Sequence, residues 1–185
     1  MFSLILTMSF QSRHKDKRKM VGVAICFVIA IEAVQWGFTR PLAPHLYEKL
    51  TNDGIILQSS PSSCVPASAA NILNIFGRDV SEPEMAALFG TTLMSGTSVA
   101  QLIYGLEKIN IKSSRKYIKE ADLSKIKAPA VLFVDVGKPE NHAVVLLGYT
   151  QDKVNIIDPL IGKKNFTLEE LQHIWHGRAV ELQKD

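Results

Sequence analysis

Residues 57–73, LQSSPSSCVPASAANIL, place Cys64 where a buried helix should begin. Ala67, Ala69 and Ala70 are small enough to let other backbone pack close. Ile72, Leu73, Ile75 and Phe76 then supply apolar positions, and Gly77 ends the run. A helix amino terminus favours negative charge, and a thiol attacks a carbonyl as thiolate, so this is a chemically suitable mount for a nucleophile. The other cysteine, Cys26, lies in an apolar stretch near the start of the chain, which leaves Cys64 without an intrachain disulfide partner. A buried cysteine of ordinary packing value is the competing reading.

Working outward from this stretch, SEPEMAALFG (81–90) carries a capping box, Ser81 with Glu84, and closes on Gly90. In GTSVAQLIYGLEKIN (96–110), Val99, Leu102, Ile103, Leu106 and Ile109 form one helical stripe behind a cap at Thr97 or Ser98. Beyond Asn110 the texture changes to β-branched and aromatic runs separated by turns. SSRKYI, AVLFVDV, HAVVLLGY, KVNIID and RAVELQ read as strands, interrupted by a helix over TLEELQHIWHG (167–177) with a Thr167/Glu170 capping box. The short TQD connection requires its two flanking strands to pair antiparallel. Helices first and an antiparallel sheet second predict an α+β domain with a cleft between the layers.

Within that frame, His142 opens HAVVLLGY and Asp158 ends KVNIID. The two strands form one hairpin, so the start of the first and the end of the second lie side by side. A base and the group that orients it therefore meet by topology. Gln58, six residues before Cys64, is near enough to join the Cys64 backbone N–H as an oxyanion donor, or else is a solvated loop residue. His173 and His176, read on one helix at i, i+3, lack the accompanying ligands of a zinc signature and are assigned to an ordinary surface helix. GTTLMSGTS lacks the Lys-Ser or Lys-Thr that completes a phosphate loop. No metal or cofactor is expected.

LQSSPSSCVPASAANIL, NHAVVLLGY and VNIIDPLIGKKNFTLEEL together resemble the three signature blocks of cysteine peptidase family thirty-nine, the double-glycine leader or bacteriocin-processing peptidases and their stand-alone relatives. The resemblance spans roughly residues 55–180. It implies a papain-like fold and a Cys-His-Asp triad with an oxyanion glutamine, on Cys64, His142, Asp158 and Gln58. It also implies a peptide or protein substrate and association with an export transporter. Two positions depart from the family pattern: Val65 stands where many members have Gly, and Ser63 where many have an acid. Fused members continue into six membrane helices and a nucleotide-binding domain, neither of which is in this sequence. Degenerate, non-catalytic relatives that only bind a peptide usually lack the nucleophile or the base; both residues are here.

The early part of the 185-residue chain is of another kind. Residues 1–19 include the basic cluster RHKDKRK, and 20–38, MVGVAICFVIAIEAVQWGF, are apolar over a membrane-spanning length. Glu32 and Gln35 interrupt it on one face; a central carboxylate costs about 2.5–3.5 kcal/mol, less toward an end. The missing pair of small residues at a cleavage position, and the late basic segment, favour a retained signal anchor over a cleaved signal peptide. Met8 and Met20 are alternative starts. Arg13, Lys15, Lys17, Arg18 and Lys19 outnumber Arg40 and Lys49, which puts the amino terminus in the cytoplasm and the domain on the outer side. Residues 39–53 are expected as a juxtamembrane linker and 54–185 as the catalytic domain. The net charge of +3 is modest and mostly concentrated in the early cluster, so nucleic acid is not an expected partner.

Overall fold

The computed structural model describes residues 2–119, 122–136 and 141–184. The chain divides into two units, Met1–Thr39 and Arg40–Asp185.

The first unit is one helix, α1 (Phe2–Thr39), which runs back through the basic cluster rather than starting at the apolar stretch. No Gly or Pro interrupts residues 2–21, and Leu, Met, Lys and Arg are good helix formers. Its portion Lys17–Thr39, 23 residues with a mean hydropathy of 2.0, is long and apolar enough to cross a membrane.

The second unit begins at once. Residues 40–53, expected as a linker, are bound into the domain: Leu42 is buried, its N–H donates to the Thr91 carbonyl at 2.9 Å, and Leu93 N–H donates to Arg40 O at 3.0 Å. A tight turn follows at Ala43–His45, and Leu50 bridges Ile56. These contacts exist because Leu42 offers an apolar side chain that the helical layer can cover.

Three helices form that layer: α2 (Cys64–Ile75), α3 (Glu82–Phe89) and α4 (Val99–Lys108). Helix α2 is buried continuously from Val65 to Leu73, which is why its sequence lacks a polar face. Both α3 and α4 start with complete capping boxes, Ser81/Glu84 and Ser98/Gln101. They pack closely because Gly105 has no side chain: the Phe89 ring fills the space where a Cβ would stand.

The sheet comprises β1 (Lys112–Tyr117), β2 (Ala130–Asp135), β3 (Asn141–Tyr149), β4 (Val154–Asp158), β5 (Gly162–Phe166) and β6 (Trp175–Gln183), with α5 (Leu168–Ile174) before the last strand. Every pairing is antiparallel, in the order β1-β6-β2-β3-β4-β5. Alternation divides the side chains between two cores. Val131, Phe133, Ala143, Val145, Val180 and Leu182 pack with the helical layer, whereas Leu132, Val134, Val144, Leu146 and Ala179 pack with Leu171 of α5 and Trp175.

Two elements differ from the sequence reading. The polar run GKKNF forms edge strand β5, held by backbone pairing to β4 rather than by an apolar pattern. Helix α5 stops at Ile174, because Trp175 is drawn into the second core and pairs with Val134. His173 therefore ends a helix while His176 lies on a strand, so the pair does not share a helix face as read. No group of three or more His, Cys, Asp or Glu side chains able to hold a metal ion occurs among the described residues.

Candidate active site

Cys64 is the first residue of α2 and is partly exposed. Its amide, at the first helical position, has no intrahelical acceptor and so points outward with the positive end of the helix dipole. The preceding serines bind the loop to itself and to its neighbours. Ser63 Oγ donates to Ser60 O at 2.8 Å and accepts from Ser60 N–H at 3.1 Å, and Ser62 Oγ donates to Leu93 O at 2.8 Å. Ser59 is held by a carboxylate: its N–H and Oγ both donate to Glu82, at 3.0 Å to Oε1 and 2.8 Å to Oε2. Glu82 is only 1% exposed, a buried acid at the start of α3 with those donors as its partners.

Across the cleft, His142 is buried near the start of β3, and its Nε2 meets Asp158 Oδ1 at 2.7 Å. The same oxygen accepts from Leu160 N–H at 2.9 Å, so the turn after β4 fixes the carboxylate before the imidazole reaches it. The Cys64 side chain also lies near enough to the imidazole to favour its protonated form. Burial alone would lower the His142 pKa. The hydrogen bond to Asp158 and its negative charge, with a further contribution from the neighbouring Cys64 side chain, outweigh it and raise the value to about 9. For Asp158, burial raises the carboxyl pKa, but the bond to His142, the Leu160 amide and the nearby Lys164 charge bring it below the usual value. The imidazole is thus held as a cation against the Asp158 carboxylate.

Helix α2 is fixed to the strand that carries His142. Ser68 Oγ, fully buried one turn below Cys64, donates to the carbonyl of Ala143 at 3.1 Å. Asn71 clamps the other side: its Oδ1 accepts from Ile56 N–H at 2.9 Å, while Nδ2 donates to Ile56 O at 2.8 Å.

Gln58 lies in the segment between these anchors. Its backbone N–H donates to Pro159 O at 2.8 Å, joining it to the turn after Asp158. One amide hydrogen bonds Ser60 O at 2.8 Å; Oε1 is buried without a protein partner. An amide group has two hydrogens, and Ser60 O takes one of them.

A cleft of about 450 Å³ opens beside Cys64, between Pro61–Val65, the segment Met94–Val99, Phe133 and Arg178. The segment GTTLMSGTS forms one of its walls. Gly96, at φ +63°, sits with its Cα against the Ser62 carbonyl, where a Cβ would approach to 3.1 Å.

The Peptidase C39 family model matches residues 52–185. The chain belongs to this family. A transport/processing ATP-binding protein for lacticin-481/lactococcin-DR from Lactococcus lactis is 31% identical over 134 residues, covering 69% of this chain but 18% of that protein. An uncharacterized protein of Methanothermobacter thermautotrophicus is 27% identical over 139 residues, covering 73% of this chain and 92% of the relative. Among solved structures, a double glycine motif protease from an AMS/PCAT transporter, in complex with the leader peptide, superposes with a TM-score of 0.64 at 20% identity, covering 71% of this chain and 91% of the other. The peptidase domain of Streptococcus ComA gives 0.62 at 23% identity, covering 70% and 96%. At these identities the two structures show the C39 fold, a helical layer on an antiparallel sheet.

In this C39 domain the structure brings Cys64, His142 and Asp158 together and sets Gln58 within the same loop system. Sequence reading missed Glu82, Ser68 and Asn71. Glu82 looks like a solvated first-turn acid, and Ser68 and Asn71 like neutral interruptions of a helix. No local pattern marks a residue whose partner is far away in sequence.

Proposed function

We propose that this chain is a membrane-anchored cysteine peptidase that cleaves peptide bonds in a leader or precursor peptide. The carrying observation is Cys64 at the amino terminus of α2 beside the His142 imidazole, which Asp158 holds at 2.7 Å. The Cys64 thiolate attacks the scissile carbonyl carbon, forming a C–S bond, and the carbonyl electron pair moves to oxygen. The Cys64 amide and the remaining Gln58 amide hydrogen stabilise that oxyanion. Collapse breaks the C–N bond while the His142 imidazolium gives its proton to the leaving amine. His142, now neutral, takes a proton from water that attacks the thioester, releasing the carboxylate product and restoring the thiol pair. Asp158 keeps the imidazole oriented throughout.

Leader-peptide processing is supported by the relatives: one solved homologue is a double glycine motif protease bound to a leader peptide, and one sequence relative is a transport/processing protein. An export transporter is the corresponding partner. The apolar portion of α1 and the excess of Lys and Arg before it support a single-pass anchor with the domain on the outer side.

The test is cleavage of precursor peptides with double-glycine and unrelated junctions, read by mass spectrometry. Cys64→Ala and His142→Ala should each lower kcat/KM by about 10³-fold or more while leaving the circular dichroism spectrum unchanged. Peptide binding without cleavage by the wild-type chain would instead support a non-catalytic binding module.

A further inference from the structure

Glu82 is a buried carboxylate that the peptidase mechanism does not use. A carboxylate taken out of water needs donors, and the start of α3 does not require this one, since Ser81 and Glu84 complete the capping box by themselves. The donors of Glu82 lie instead on the loop before Cys64. Ser59 N–H is shared between Oε1 at 3.0 Å and Oε2 at 3.2 Å, and Ser59 Oγ donates to Oε2 at 2.8 Å. The Ser59 hydroxyl in turn accepts from Tyr47 N–H at 3.2 Å.

Ser59 N–H belongs to the planar peptide unit that joins Gln58 to Ser59, so the Glu82 carboxylate restrains rotation about the Gln58 Cα–C bond. On the other side of Gln58, its own N–H donates to Pro159 O at 2.8 Å and restrains the preceding plane. Both peptide planes that flank the Gln58 Cα are therefore held, one by the turn after Asp158 and one by Glu82. The tip of the side chain is held less: the amide donates to Ser60 O at 2.8 Å, while Oε1 is buried without a protein partner. Where the amide points thus depends on its backbone root.

We propose that Glu82 is a positioning residue for Gln58: it sets the peptide plane from which the Gln58 amide reaches the oxyanion formed at Cys64. This rests on the peptidase reading of Cys64 and on Gln58 as its oxyanion donor. The position calls for a group that only accepts. Both carboxylate oxygens face the Ser59 nitrogen, so a glutamine in either orientation would set an N–H donor against the Ser59 N–H.

The test uses the full chain carrying Cys26→Ala, so that Cys64 is its sole thiol, and precursor peptides with double-glycine and unrelated junctions. Values of kcat and KM come from mass spectrometry, and iodoacetamide alkylation of Cys64, a displacement that forms no oxyanion, is run in parallel. Glu82→Gln should lower kcat about tenfold with KM and the alkylation rate unchanged, and Gln58→Ala should lower kcat about 10²-fold. The double variant should be no slower than Gln58→Ala, because Glu82 acts only through that side chain. Ser59→Ala, a smaller change that removes one of the two donors, should show the same coupling with a loss of about threefold. Glu84→Ala, which breaks the cap of the same helix, should lower Tm and leave kcat alone. Losses that multiply in the double variant overturn the proposal alone, as does an undiminished kcat in Glu82→Gln or an alkylation rate that falls with kcat. If Glu82→Gln does not fold, the cycle of Ser59→Ala with Gln58→Ala decides by the same criterion. A chain that cleaves none of the peptides overturns the peptidase reading and this proposal with it.

Discussion

His142 binds its proton more tightly in the folded chain than in the unfolded one, because Asp158 and Cys64 both face its ring. The stability this contributes is complete below about pH 6.5 and is lost as pH rises through about 9. Thermal melts should therefore show Tm falling across that window, and the fall should flatten in His142→Ala. Under the peptidase proposal the same proton is the one delivered to the leaving amine, so kcat/KM should decline on the alkaline side near pH 9. Asp158→Asn removes the carboxylate bond and charge that raise the imidazole pKa, and a pH–rate profile should show the alkaline limb moving to lower pH as activity falls. Glu82 belongs to the same scale. Its carboxylate holds Ser59, next to Gln58, so Glu82→Gln should lower kcat about tenfold with KM nearly unchanged, the signature of a misplaced oxyanion donor. His142 and Asp158 could be paired from sequence because one hairpin joins them. Glu82 could not, since its partner Ser59 is 23 residues away with helix α2 between them.

At the scale of elements, α2 carries Cys64, and the Ser68 bond to Ala143 ties it to the strand that carries His142. Ser68→Ala would leave the buried Ala143 carbonyl without its side-chain donor, costing about 1–3 kcal/mol. Denaturant titration should show that loss. Gly105→Ala inserts a methyl into the Phe89 ring and should destabilise the α3–α4 contact by about 1–3 kcal/mol, whereas a change at exposed Tyr104 should leave the midpoint alone. The helices were legible because their caps and stripes are local: Ser81 with Glu84, a cap at Thr97 or Ser98, and Leu102 with Leu106. Strands β2, β3 and β4 were legible from their β-branched runs. Strand β5 was not, because an edge strand is specified by the backbone of its neighbour, and GKKNF has no alternation to read. The end of α5 was misread because Trp175 serves a tertiary core that overrides the helical period.

For the molecule as a whole, a 38-residue helix precedes a domain that begins at the next residue. The apolar length of that helix was plain from composition, whereas the inclusion of residues 40–53 in the domain depends on Leu42 finding its place beside Thr91, a contact no window of sequence reveals. Under the anchor proposal, the full chain should float with liposomes of phosphatidylethanolamine and phosphatidylglycerol through high salt and carbonate washing, and deletion of residues 2–39 should release it. The central claim, that fold and sequence converge on an activated Cys64, is tested most directly by the rate at which iodoacetamide alkylates this thiol at pH 6.5 in the Cys26→Ala chain, with and without His142→Ala. The account predicts alkylation at least about tenfold faster when His142 is present, since an imidazolium partner favours the thiolate. Equal rates in the two proteins would contradict it.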